Sequence, residues 1–245
     1  NLAEVSLELG GKNPIVVHDT SDLGACLDDI VRGAMANSGQ RCTSISRVLV
    51  RRPLVADVEA GLTDRFRKLV VGHGFDPATQ VAPMAMKSQH RKVLDMIEAG
   101  RAEGARITAG GAVAAPAGAE TGYFVQPTLM CGVTPHMRVA REEIFGPALS
   151  VLAYETLDEA LALVNGTGYG LAASLFSEDP RIVRRFTEEA EAGMLHVNHQ
   201  TVGDPNMPFV GIKDSGVGAC SVGSSAAAFY TSEHAIYVHY PAKPR

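Results

Sequence analysis

Three short segments hold side chains able to do covalent and acid–base chemistry. Cys42 stands in the small, polar run Asn37-Ser38-Gly39-Gln40-Arg41-Cys42-Thr43-Ser44. Small neighbours leave a sulfur uncrowded, and an accessible thiol that ionises is a strong nucleophile. Arg41 is adjacent, but neighbouring side chains commonly diverge. On spacing alone two readings stay open, a nucleophile or a small buried residue, because free cysteine is among the most buried residue types. Glu8 lies between Leu7 and Leu9, on the face shared with Ser6 and Gly10 if the segment is a strand. Gly10 and Gly11 let a backbone or ligand approach closely. A carboxylate beside them could serve as a general base, more so if desolvation raises its pKa. The plain alternative is a polar-face residue. Glu142 and Glu143 precede Ile144-Phe145-Gly146-Pro147. That pattern suits a carboxylate accepting hydrogen bonds from sugar hydroxyls and an aromatic packed on a planar ring, or else a solvated charge pair.

The elements that must position these residues follow from hydrophobic period. Residues 5–9 alternate and 14–18 form an apolar run, so both are expected strands. Asp19, Thr20 or Ser21 could cap the helix that follows. Its stripe of Leu23, Cys26, Leu27, Ile30, Val31 and Ala34 takes Cys26 into the core and leaves Cys42 outside. A strand is expected over 46–50. Pro53 suits the first turn of the next helix, whose inner face holds Val55, Val58, Leu62, Phe66 and Leu69. Further helices are expected near 87–103, 157–165 and 180–192, and strands near 106–108, 123–126, 148–154, 171–176 and 194–198. The Ala-, Gly- and Pro-rich residues 110–122 read as a surface loop. Strands alternating with helices imply an α/β fold: a mostly parallel sheet with helices on both faces. Residues 235–240 alternate without a following helix, the pattern of a strand that pairs with another element or subunit.

The 245 residues suffice for one large domain or one domain with extensions. With 46% hydrophobic and 20% charged residues the composition is that of a globular protein. A net charge of −5 without long basic runs argues against nucleic acid and anionic membranes as partners. No apolar stretch approaches the roughly 20 residues that span a bilayer. Cys26, Cys42, Cys131 and Cys220 are widely spaced with no CxxC, which disfavours a zinc site or a disulfide scaffold and favours a reducing, cytoplasmic setting. His196 and His199 lack an acidic or thiol partner nearby, so no metal is expected. Gly168-Tyr169-Gly170-Leu171-Ala172-Ala173 is the one near match to a dinucleotide fingerprint. It follows a helix and enters a strand, the reverse of the required order, and is rejected. The chain starts at Asn1 and enters a strand almost at once; no signal peptide is read there, and a fragment is the simplest expectation.

Together and in this order, the segments resemble the aldehyde dehydrogenase family. Residues 7–12 are similar to its glutamate motif, Gly39-Gln40-Arg41-Cys42 to its cysteine motif and residues 142–147 to its cofactor-ribose motif. Pro208-Phe209-Val210-Gly211-Ile212-Lys213-Asp214-Ser215-Gly216 is similar to its late Pro-Phe-Gly-Gly-x-Lys-x-Ser-Gly segment. The resemblance runs from about residue 5 to 240. It implies NAD(P)-dependent oxidation of a small aldehyde to an acid, with Cys42 as nucleophile and Glu8 activating water. Glu143, Phe145, Gln89 and Gly10 would face NAD or NADP, and Asn198, His199 and Gln200 the substrate. A homodimer or homotetramer is implied.

The resemblance also implies a division of the chain. Residues 1–217 would be the catalytic domain and 218–245 a tail with an oligomerisation strand. Members of the family are about twice this length, and their dinucleotide-binding domain precedes the glutamate motif. That part is absent here, so the chain alone is expected to be inactive as a dehydrogenase. Val210 departs from the pattern, standing where the first glycine of the pair is usual. Two other functions are weighed. A CoA-acylating enzyme usually lacks the glutamate seen at Glu8, and an inactive assembly module would keep at most a thiol esterase activity.

Overall fold

The computed structural model describes residues 3, 5–119, 121–220 and 222–241. Its strands are β1 (Ser6–Glu8), β2 (Asn13–Val17), β3 (Ile45–Arg51), β4 (Arg106–Ala109), β5 (Thr128–Cys131), β6 (Ala148–Tyr154), β7 (Tyr169–Gly170), β8 (Ala172–Phe176), β9 (Met194–Val197), β10 (Ile212–Lys213) and β11 (Gly216–Gly218). Its helices are α1 (Leu23–Met35), α2 (Val55–Lys68), α3 (Lys87–Ala102), α4 (Arg138–Arg141), α5 (Leu157–Asn165), α6 (Pro180–Glu189) and α7 (Ala226–Tyr230).

Seven strands form one sheet in the order β4-β5-β6-β3-β2-β8-β9. All neighbours in it are parallel except β4 and β5. The alternation of side chains along each strand divides the core in two. Ile15, Val17, Val48, Val50, Leu149 and Val151 pack with α1 and α2 on one face. Val16, Leu49 and Leu152 pack with α3, α4, α5 and α6 on the other. The expected α/β class is therefore the observed one. Near-continuous apolar strands are what burial on both faces demands.

Several details differ from the sequence reading. The cap of α1 is Asp22, whose carboxylate accepts from the Ala25 N–H at 2.9 Å. Asp19 instead accepts from the Ser177 hydroxyl and the Glu178 N–H, tying the loops after β2 and β8. Residues 123–126 form no strand: Val125 makes only an isolated bridge to Val113. Residues 235–240 form no strand either, and Ile236, Tyr237 and Tyr240 lie 80%, 95% and 84% exposed. A strand exists only where a neighbour completes its hydrogen bonds, and alternation by itself supplies none. β1 leaves the main sheet and pairs with β11, matching Ser6 to Gly218 and Glu8 to Gly216. The boundary expected at 217/218 thus falls inside a strand. The backbone at Val210 passes so close to Gly193 that a Cβ on residue 193 would overlap the Val210 carbonyl.

Candidate active site

Strand order alone explains why the three chemical segments converge. β2, β3 and β6 are adjacent and parallel. The Glu8–Lys12 segment enters β2, the Cys42 turn enters β3, and Glu143–Pro147 enters β6. All three incoming loops therefore meet at the amino ends of neighbouring strands. In many open α/β sheets ligands sit instead beyond the carboxyl ends.

The Cys42 turn has an unusual backbone. After α1 the chain turns through the left-handed region, with Asn37, Ser38 and Gly39 at φ of 51°, 58° and 71°. Asn tolerates the left-handed region and glycine enters it freely. At Gly39 a side chain is also sterically barred, since a Cβ would overlap the Gly146 carbonyl. This close approach sets the Cys42 turn against the Glu143 loop.

Asn13 fixes the same turn from the side of β2. Its amide nitrogen donates to the carbonyls of Cys42 at 2.7 Å and Ser44 at 2.8 Å, and its oxygen accepts from the Ala172 N–H at 3.1 Å. Arg41 donates through Nε to Thr43 Oγ1 at 2.8 Å and through Nη2 to the Thr201 carbonyl at 3.1 Å. The Thr201 hydroxyl donates to the Thr43 carbonyl at 2.6 Å.

Cys42 itself is half-buried, unlike Cys26 and Cys131, which are fully buried. Burial is the largest influence on its thiol and raises the pKa above the ordinary value. Negative charge on Glu8 and Glu143 adds to that rise, while the backbone N–H groups of Thr43 and of Cys42 itself lower it. Those same N–H groups are the donors that an oxyanion formed next to the sulfur would meet.

Glu143 faces the glycine pair of the first segment. Its Oε1 accepts from the Gly11 N–H at 2.9 Å, and a Cβ on Gly10 would lie 2.5 Å from Oε2. Phe145 adopts φ 57°, a strained setting for a bulky residue. Gln89 braces it: one amide nitrogen donates to the carbonyls of Ile144 at 2.7 Å and Phe145 at 2.8 Å. Glu8 is exposed on β1.

The expected substrate residues are placed unevenly. Asn198 pairs both ways with the Ser177 backbone, at 3.0 and 3.1 Å, so its amide is committed to the fold. His199 is exposed, with Nδ1 2.8 Å from the Gln200 carbonyl, and Gln200 packs on Gly33 of α1. His196 turns Nε2 toward the Val202 backbone instead of toward His199. Among the described residues no group of three His, Cys, Asp or Glu could hold a metal ion. No described helix is long and apolar enough to cross a membrane. A concavity of about 580 Å³ between α1 and α2 is lined in part by Asn37, but not by Cys42, Glu8 or Glu143.

Sequence reasoning missed two supporting residues. Asn13 follows Gly11-Lys12 directly, yet a lone asparagine before an apolar run carries no recognisable signal. Arg47 is a charge inside the apolar strand β3, which is a signal. It is 3% exposed and donates to the carbonyls of Lys12, Leu163 and Val164. Burial lowers its pKa to about 10.

Residues 1–236 match the model of the aldehyde dehydrogenase family. The chain belongs to that family. It is 39% identical to a betaine aldehyde dehydrogenase of Brucella anthropi over 97% of this chain and 49% of that protein. It is also 39% identical to an alpha-ketoglutarate semialdehyde dehydrogenase of Haloferax volcanii, over 96% of this chain and 49% of that protein. The structure superposes on a betaine aldehyde dehydrogenase from Staphylococcus aureus in complex with NAD+. The TM-score is 0.89 at 32% identity, covering 94% of this chain and 46% of that one. The chain thus spans about half the length of the aldehyde dehydrogenases it matches.

Proposed function

We propose that this chain supplies the catalytic half of an NAD(P)-dependent aldehyde dehydrogenase that converts a small aldehyde to its carboxylic acid. The observation that supports the reading is the contact of the Cys42 turn with the Glu143 loop at the amino ends of β3 and β6, with the charges of Glu8 and Glu143 both acting on the Cys42 thiol. Cys42 Sγ attacks the aldehyde carbon, and the carbonyl electrons move to oxygen to give a thiohemiacetal. The Cys42 and Thr43 N–H groups face the developing oxyanion. A bound NAD(P) supplies the hydride acceptor. Loss of hydride from the thiohemiacetal leaves a thioester on Cys42. Glu8 then takes a proton from water as the water attacks the thioester, the C–S bond breaks, and the acid leaves with Cys42 restored as thiolate.

Glu143 fits the ribose end of the cofactor. One of its oxygens is engaged by Gly11, and among the described residues no donor engages the other. Gly10 provides the bare backbone beside it. Phe145 and Gln89 belong to the same clamp, with Gln89 holding the turn on which Phe145 stands. His199 and Gln200 face the substrate. The exposed tail around Tyr237 supports assembly into a dimer or tetramer, and a reducing, cytoplasmic setting suits a half-buried nucleophilic thiol.

The test is turnover of an aldehyde panel with NAD and NADP by the full-length protein, beside Cys42→Ala, Glu8→Gln and Glu143→Gln. Acid formation lost in Cys42→Ala supports the reading. Activity retained in that variant, or acid formation that needs added CoA, overturns it.

A further inference from the structure

We infer that Thr201 is a positioning residue that sets Cys42 in register with the substrate loop, an inference that rests on Cys42 being the nucleophile. Thr201 is fully buried, in a loop whose neighbours His199 and Gly203 are exposed. Its hydroxyl is spent on the Thr43 carbonyl at 2.6 Å, so it does not face substrate. Its own carbonyl accepts from Arg41 Nη2 at 3.1 Å, and Arg41 Nε reaches back to Thr43 Oγ1 at 2.8 Å. Arg41, Thr43 and Thr201 thereby close a ring of three hydrogen bonds around the residues flanking Cys42.

Two further bonds hold the loop on either side of Thr201. The Ser174 hydroxyl donates to the His199 carbonyl at 2.5 Å, and His196 Nε2 lies 2.9 Å from the Val202 carbonyl. The loop is therefore bonded on both sides of the point where it meets Thr43. The Thr43 N–H is one of the groups that favour the Cys42 thiolate, so a shift of Thr43 changes both where the sulfur points and how readily it ionises. Asn13 secures the other flank through the Cys42 and Ser44 carbonyls. The two restraints come from different parts of the chain. Only the one through Thr201 connects the nucleophile to residues 198–204.

The experiment uses the full-length protein with Thr201→Val, which keeps the shape and removes the hydroxyl, and Thr201→Ser, which keeps the hydroxyl. Alkylation of Cys42 by iodoacetamide is followed by mass, beside kcat and KM for an oxidised aldehyde, well below the unfolding temperature. Thr201→Val is expected to slow alkylation and lower kcat about tenfold, the equivalent of one hydrogen bond. KM should stay within about twofold, and Thr201→Ser should restore both rates. Lowered thermal stability with unchanged alkylation and kcat overturns the inference while leaving Cys42 as nucleophile. A wild-type protein that keeps its activity after Cys42 is alkylated overturns both.

Discussion

Asn13 and Cys42, 29 residues apart, are joined by a 2.7 Å hydrogen bond from the asparagine amide to the cysteine carbonyl. The bond links the first residue of β2 to the turn that feeds β3, and the same side chain holds Ser44 and Ala172. Neighbouring strands can share one polar residue in this way because their amino ends are level.

Removing that amide orphans buried backbone groups. Asn13→Ala leaves the carbonyls of Cys42 and Ser44 and the N–H of Ala172 without this partner. Each orphaned buried group costs about 1–3 kcal/mol, and the three are not additive. The expected result is a clear fall in calorimetric unfolding temperature together with a loss in kcat that exceeds any rise in KM. Wild-type stability and kcat would show that the bond is dispensable.

The protonation of Cys42 responds to Glu8. Burial and the two carboxylates hold the thiol above its ordinary pKa. Iodoacetamide alkylation should therefore rise with pH through a midpoint above that of a free thiol. In Glu8→Gln one negative charge is gone, thiolate forms more easily, and the midpoint should move down. An unmoved midpoint would mean that Glu8 does not act on the sulfur.

Lys12 predicts a pH dependence of stability. It is 1% exposed and its Nζ has no hydrogen-bond partner among the described residues. Burial, chiefly, with the charge of Arg47 adding to it, lowers its pKa from the ordinary 10.5 to about 7, against the opposing pull of Glu143 and Glu142. Between about 7 and 10.5 the unfolded chain holds the proton and the folded chain has lost it, so this group makes stability rise with pH across that window. Below about 7 both states are protonated and the full cost of the buried ammonium is present. Lys12→Met keeps an unbranched chain and removes the charge. Its stability relative to wild type, measured by urea unfolding, should be most favourable at pH 6 and least at pH 10. A difference that does not change with pH would place the ammonium in contact with water.

Much of the fold is legible from residue order because it depends on local period. The stripe of Cys26, Leu27, Ile30 and Ala34 marks α1, and the apolar runs of β2 and β6 mark strands covered on both faces. The capping residue was less legible: Asp19, Thr20, Ser21 and Asp22 can all cap, and folding commits Asp19 to Ser177 and Glu178 while Asp22 takes the Ala25 N–H. β7, β10 and β11, of two or three residues each, carried too few residues for any period to register. The alternating 235–240 showed a period but found no partner among the described residues.

The sequence by itself determined which chemistry is available: a thiol among small residues, a carboxylate beside two glycines and a second carboxylate before an aromatic. Their order along the chain was enough to show the family resemblance. Only the tertiary structure decided that they meet, because nearness across 34 or 101 residues is set by strand order, which no local pattern encodes. It alone turned Asn13 and Thr201 from ordinary polar residues into supports of the Cys42 turn, and Arg47 into a tie between Lys12 and the end of α5. A hydrogen bond acquires that role only when folding buries both partners and leaves neither with water as an alternative.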